Sequence, residues 1–298
     1  MINVLLITAM IVLYTMQSFL CKSYSDRYPG DADMSSPIFT VISGATTAFI
    51  SLCFMGFDFH ASYITLLLGV LNAFALYGYN DYLVTAAANG PYTAMMVVAI
   101  AGSTIVPTLS SWIGFGQDIS LLKWVGVLLL ILGVYLTGTR KSSGDEAHTR
   151  VNYKAFIPLC IGLALCNGVY AALTDVQQRI TGVEEREEMV CITYSVAFLL
   201  SLTTVLIRSK GSLAPFKQSK LSLLFLILSS ISVGLAIHVL VIIIPILNDI
   251  TMLHVVNNSG ILILSAILSF LFLGERPTRV NILGYVAVCL ASVMTALF

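Results

Sequence analysis

Ten apolar stretches divide this chain, each near the length at which a helix crosses a bilayer. They are residues 2–20, 36–56, 62–86, 91–115, 121–138, 155–174, 189–207, 221–247, 250–273 and 280–297. Crossing the hydrocarbon takes ~20 mostly apolar residues, and only structures that satisfy their own backbone polar groups survive there. The longer stretches include turn residues or must tilt. Asp81 and Lys123 are the only formal charges within these limits. Composition agrees: 58 % of the residues are hydrophobic and 10 % charged, and mean hydropathy is +0.93. A soluble domain carries about 25 % charged residues, enough to cover its surface. The predicted class is an all-α membrane protein with ten transmembrane helices. Net charge is zero and no basic block occurs, so nucleic acid is not an expected partner. Cysteines 21, 53, 160, 166, 191 and 289 show no CxxC spacing and read as free thiols. The first stretch lacks a basic leader and a small-residue cleavage site, and reads as a retained span.

The stretches fall into two sets of five. "IAGSTIVPTLSSWIGFGQDISLLKWVG" (100–126) aligns without a gap on "NSGILILSAILSFLFLGERPTRVNILG" (258–284), at a constant offset of 158 residues. Gly102 falls on Gly260, Gly116 on Gly274, Gly126 on Gly284, Gln117 on Glu275, and further back Asn80 on His238. The expected organisation is a first five-helix repeat over 1–139, a polar connecting loop over 140–154 and a second repeat over 155–298. Five is odd, so each set enters and leaves on opposite sides and the second must be inverted. Inverted repeats about an in-plane axis are a transporter architecture. Twelve Lys and Arg fall in the loops on one side, and the opposite side holds three, Lys123, Arg179 and Arg186. By the positive-inside rule both termini are non-cytoplasmic, in a multi-pass protein of the inner (plasma) membrane.

The ends of the two sets carry a resemblance. "SFLFLGERPTRVNILGYVAVCLASV" (269–293) is an apolar span, a Gly-Glu pair, a short polar turn and a glycine-containing last span. This resembles the end-of-repeat pattern of the drug/metabolite transporter superfamily, EamA type. The first set has Gly116-Gln117 where that family usually has Gly-Glu, and the fronts "TMQSF" (15–19) and "CNGVYAALTDV" (166–176) resemble it only loosely. The resemblance implies ten helices in two repeats and transport of a metabolite, in a family that includes exporters of amino acids, drugs and sugars. In the turn itself Gly274 suits a left-handed helix end, and Pro277 suits a first helical position. Glu275 is then expected beside the positive end of the last helix, with a substrate or proton role as the alternative.

Polar residues inside the spans are the candidate site. His254, Asn257 and Asn258 are spaced i, i+3, i+4 and share a helix face, while their first-repeat counterparts are Met96, Ala99 and Ile100. One reading is helix–helix glue. The other is the lining of a central aqueous cavity, joined by Asn80, His238, Tyr77, Gln17, Asn167 and Tyr170. Intramembrane ionisable groups are functional candidates by default, so Asp81, His238 and His254 are the proton-coupling candidates. Tyr82 reads as interfacial, and Pro107 and Pro245 as helix-shaping.

No Lys or Arg falls mid-span, which disfavours phosphate and nucleotide-sugar cargo. A lining of Asn, His, Tyr and Gln suits a neutral or zwitterionic small molecule of the amino-acid or sugar class. The expected function is a secondary transporter, an exporter, working by alternating access. Its partners are a small-molecule substrate, the lipid bilayer and protons, with no cofactor, and a homodimer is compatible with the sequence. The alternatives are a transport-dead scaffold or sensor subunit and a membrane-embedded enzyme. HExxH, a Ser-His-Asp order and a phosphate loop are all missing, and histidines 60, 148, 238 and 254 are dispersed.

Overall fold

The computed structural model describes residues 2–116, 118–138, 153–182, 184–243 and 250–297. Gln117, Pro245, most of the polar loop 140–154 and the side chain of His254 lie outside the described residues.

Each apolar stretch is met by a helix: α1 (Ile2–Ser25), α2 (Ala32–Phe54), α3 (Tyr63–Asn89), α4 (Tyr92–Phe115), α5 (Leu121–Gly138), α6 (Tyr153–Thr181), α7 (Arg186–Arg208), α8 (Lys220–Ile243), α9 (Ile250–Leu268) and α10 (Arg279–Leu297). A 3₁₀ turn (Ala214–Phe216) precedes α8, and a π-helical turn (Ser269–Leu273) prolongs α9. No strand occurs among the described residues. Eight of the helices are long and apolar enough to cross a membrane; α5 and α10 are shorter apolar helices. Helix α6 runs seven residues past the apolar stretch that announced it, and α7 begins three residues early. Both extensions are polar and both reach the cavity described below.

The outer face is apolar, and polar residues are buried inside among the apolar core. On α3, Leu67, Leu71 and Phe74 are exposed, while Thr65, Asn72 and Asn80 on the same helix are buried. Water would penalise that exposed stripe, and a bilayer would not. The buried polar groups bind across helices instead. Asn72 Nδ2 donates to Thr174 Oγ1 (3.3 Å), Ser229 Oγ donates to the Gln17 carbonyl (2.8 Å), and Asn281 Nδ2 donates to the Thr137 carbonyl (2.9 Å).

Helices of one half pack chiefly on helices of the other: α1 on α8, α3 on α6, α2 on α7 and α8, α7 on α3, α5 on α10, α4 on α6, and α9 on α1. The α5–α10 pair is antiparallel. A Cβ on Gly126, early in α5, would lie 2.8 Å from Thr295 Cγ2, late in α10; one on Gly284, early in α10, would lie 2.7 Å from Thr137 Cγ2, late in α5. The α2–α7 pair is antiparallel too, with Arg208 Nη1 donating to the Asp33 carbonyl (2.9 Å) at one end and Cys191 reaching the Ala48 carbonyl (3.9 Å) at the other.

Where α4 crosses α6 the backbones touch. A Cβ on Gly102 would lie 2.1 Å from the Ala164 carbonyl oxygen, and one on Gly168 would lie 2.6 Å from the Gly102 carbonyl oxygen. Small residues permit this approach, which van der Waals packing stabilises in lipid. The counterpart of Gly102, Gly260 on α9, meets a side chain rather than backbone first: Ile11 on α1, whose Cδ1 would lie 2.5 Å from an added Cβ. Gly102→Ala should therefore force α4 and α6 apart and destabilise the bundle by ~1–3 kcal/mol. Gly114→Ala on the same helix, with nothing within 4 Å of the new methyl, should be neutral or stabilising by up to ~1 kcal/mol. Melting temperatures in detergent compare the two; equal effects would refute the backbone contact.

Candidate substrate cavity

A cavity of about 630 Å³ lies in the bundle, within the range of ~300–1,000 Å³ typical of small-molecule sites. Both halves build its wall: Tyr14 and Gln17 of α1, Ser43 of α2, Tyr79 and Asn80 of α3, Ser103 and Thr104 of α4, then Asn167 and Tyr170 of α6, Arg186 and Tyr194 of α7, and Asn257 and Asn258 of α9. The lining continues to Ser111, Asp118, Lys123 and Arg179, at the carboxyl ends of α4 and α6 and the start of α5. That is the mouth.

Six of the residues singled out in the sequence meet on this wall: Gln17, Asn80, Asn167, Tyr170, Asn257 and Asn258. Asn167 is held by donating to the Ala99 carbonyl of α4 (2.8 Å). Asn257 is buried, and its Oδ1 has no hydrogen-bond partner among the described residues; the same holds for Ser43 Oγ and for Nη1 of Arg186. Three other candidates lie off the wall. Tyr77 meets Thr204 Oγ1 at 3.3 Å on the α3–α7 seam, and Asp81 is half-buried near Cys166. His238 is 1 % exposed between α2 and α7. Its Nδ1 lies 2.9 Å from Glu187 Oε1, its Nε2 lies 3.3 Å from Ser51 Oγ, and its ring stacks on Phe54 at 4.4 Å. His238 thus has an acidic partner that span counting assigned to a loop.

Sequence reasoning missed Tyr14, Tyr194 and Arg186. It also passed over Thr104, Thr108 and Ser111, whose i, i+4, i+7 spacing on α4 is a readable hydroxyl stripe. Arg186 was counted with a loop because it sits in an acidic run; it is the first residue of α7 and 6 % exposed.

The end opposite the mouth is sealed. Tyr92 is fully buried there, its hydroxyl 2.7 Å from Ser18 Oγ and 3.2 Å from Ser265 Oγ, with Phe19 edge-on to its ring. Glu275 completes the seal. Oε1 accepts from the Tyr92 amide (2.6 Å), Oε2 accepts from Thr93 Oγ1 (2.8 Å) and its amide (3.3 Å), and Ser269 Oγ also donates to Oε2. The sequence expectation put Glu275 at the start of α10; it caps α4 instead. The reason is local. Helix α10 starts only at Arg279, and Thr278 with Asn281 already caps it: the Thr278 amide donates to Asn281 Oδ1 (3.0 Å) and the Asn281 amide to Thr278 Oγ1 (3.3 Å). The cap position of α4 is Pro91, which has no side-chain acceptor to offer. The π-turn and the left-handed Gly274 (φ 70°) turn Glu275 back toward those open amides. At the mouth end Glu185 plays a comparable part for α3, accepting from the Ser62 amide (3.0 Å) and Ser62 Oγ (2.7 Å). Hydrogen bonds from Ser62 and Thr65 hold its carboxyl below the usual range.

No family model matches the chain, and no curated protein matches it. A solved structure described only as the crystal structure of a protein superposes with a TM-score of 0.64 at 15 % identity, covering 99 % of this chain and 98 % of its own. At that identity the likeness shows the fold alone.

Two outcomes follow. Glu275→Ala leaves the Tyr92 and Thr93 amides and Ser269 without their acceptor and should cost ~1–3 kcal/mol in detergent melts, with Glu275→Gln between it and the wild type. A melt unchanged by Glu275→Ala would show that the cap is not formed. For Glu185 the lowered pKa fixes the sign: its contribution is present above the ordinary carboxylate range and is lost as pH falls through the folded value. Melting temperature against pH should therefore fall less steeply on acidification in Glu185→Gln, and an identical slope would contradict this.

Proposed function

We propose that the protein is a secondary transporter that moves a small neutral or zwitterionic molecule, of the amino-acid or sugar class, by alternating access. The observation that carries this reading is the polar cavity itself, walled by both halves, reaching the helix ends on one side and sealed by Tyr92 and Glu275 on the other. Ten spans in two inverted repeats suit the packing. Helices α5 and α10 run antiparallel, and their Gly126–Thr295 and Gly284–Thr137 contacts exchange under the 158-residue offset. The pairings α1–α8 and α6–α3 exchange in the same way. Membership of the drug/metabolite transporter superfamily, EamA type, rests on the turn at Gly274-Glu275 and this layout. The sealed side carries Lys22, Arg27, Arg208, Lys217 and Arg279, so the positive-inside rule puts it in the cytoplasm of a cell with this protein in its inner membrane. The mouth then faces the exterior, as do both termini, and the direction we propose is export. Protons are the proposed coupling ion, with His238 and its partner Glu187 as one relay candidate beside Asp81 and His254.

Thiol labelling tests this without knowledge of the cargo. In a variant with the native cysteines replaced by alanine, Ser103→Cys on the cavity wall should react with a membrane-impermeant maleimide added outside intact cells. Ser265→Cys, fully buried in the sealed end, should not. Labelling of Ser103→Cys only from the cytoplasmic face would reverse the orientation. Labelling from neither face would remove the aqueous cavity and favour the scaffold reading. Once a cargo is in hand, Asn257→Leu should weaken its binding roughly ten- to hundred-fold, ~1–3 kcal/mol, and shift the melt little, because no described residue depends on its Oδ1. A melt that falls while affinity holds would assign Asn257 to helix packing.

A further inference from the structure

Arg186 is the one cation on the described wall that is more than nine-tenths buried. The mouth arginine is already engaged: Arg179 Nε donates to Asp175 Oδ2 (2.8 Å), its Nη2 to Ser111 Oγ (3.2 Å), and its guanidinium lies over the Phe115 ring. Arg186 is different. Its neighbours are the phenols Tyr14 and Tyr170 and the carboxylate of Glu187, which is turned to His238 at 2.8 Å. Nη1 has no hydrogen-bond partner among the described residues. A buried guanidinium with an idle donor is costly unless an acceptor arrives. From this geometry we infer that Arg186 is the anchor for a carboxylate group of the cargo. The inference rests on the transporter reading of the cavity and narrows it from amino acids and sugars to small carboxylates.

The wall supports the choice of group. A guanidinium fork matches the two oxygens of a carboxylate. One buried cation balances one negative charge, so a phosphate dianion would remain half-neutralised. Tyr14 and Tyr170, the neighbours of Arg186, pack against an apolar cluster whose members Tyr194, Val233 and Ile237 also line the cavity. That surface takes the body of a monocarboxylate with an apolar or aromatic substituent. Across the wall, the idle acceptor Oδ1 of Asn257 suits an ammonium or hydroxyl donor on the same molecule. A zwitterionic amino acid satisfies both ends.

The test uses the full chain in lipid nanodiscs. Phenylglyoxal modifies accessible guanidinium groups, and peptide mass spectrometry reads Arg186 and Arg179 separately. Acetate, 3-phenylpropionate and L-phenylalanine are the carboxylate probes; 3-phenyl-1-propanol and chloride, at matched ionic strength, are the controls. The expected result is several-fold slower modification of Arg186 with 3-phenylpropionate or L-phenylalanine, no slowing with either control, and an unchanged rate at Arg179. In parallel, 3-phenylpropionate should raise the melting temperature of the wild type, keep part of that shift in Arg186→Lys and lose it in Arg186→Gln. Equal protection by the alcohol or by chloride overturns the proposal. So does protection by none of the carboxylates, an Arg186 that no condition modifies, or a melting shift that survives Arg186→Gln. Ser103→Cys labelling separates the two levels. A labelled cavity with an indifferent Arg186 removes the anchor alone, and an unlabelled one removes the transporter reading as well.

Discussion

The carboxylate of Glu275 reaches from the turn after α9 to the first two amides of α4 and closes the end of the bundle opposite the mouth. Those amides are at the positive end of a helix whose own cap residue is proline, so they need an acceptor from elsewhere. A carboxylate there both satisfies them and ties the end of α9 to the start of α4. Behind this tie, Tyr92 brings α1 and α9 together through Ser18 and Ser265. Three helices that flank the cavity are thereby gathered at one end. At the other end the polar wall continues from Asn257 out to Ser111, Asp118, Lys123 and Arg179.

The same economy explains how polar the interior is. In hydrocarbon an idle polar group is expensive, so most of these residues are tied to a neighbouring helix, as Asn72, Ser229 and Asn281 are. Idle buried atoms remain both on the wall and off it, Gln177 Oε1 and Ser201 Oγ among the latter. Asn257 Oδ1, Ser43 Oγ and Arg186 Nη1 have no partner among the described residues, and all three border the cavity. These are the wall atoms that the proposed ligand would meet.

Much of the fold was legible because its signals are collective. Every apolar stretch became a helix, since length and hydropathy are averaged over some twenty residues. The wall was legible where a polar residue interrupts an apolar run, as with Gln17, Asn80, Asn167, Tyr170, Asn257 and Asn258. It was not legible where the run had already ended. Arg186 looked like a loop residue beside Glu184 and Glu187, yet helix α7 starts there and turns it inward. Asp175 and Arg179 stood past the predicted end of α6, and the helix carries them to the mouth. Pairing defeated the reading at His238, because Glu187 is distant in sequence and meets it only through the packing of α7 on α8 and α2. Glu275 was assigned to the nearer helix end, and only the capping of α10 by Thr278 and Asn281 shows why that end had no use for it.

Two ends that open in turn are the centre of this account, and distance measurement by paired spin labels is its most direct test. One pair spans the mouth, on Ser111 and Leu240, which face the cavity from α4 and α8. A second pair spans the seal, on Asn89 before α4 and Thr278 before α10. The wild type should show a long mouth distance and a short seal distance. Glu275→Ala should add a second population in which the mouth shortens and the seal lengthens together. A single distance at each end, unmoved by Glu275→Ala, would contradict alternating access about this cavity.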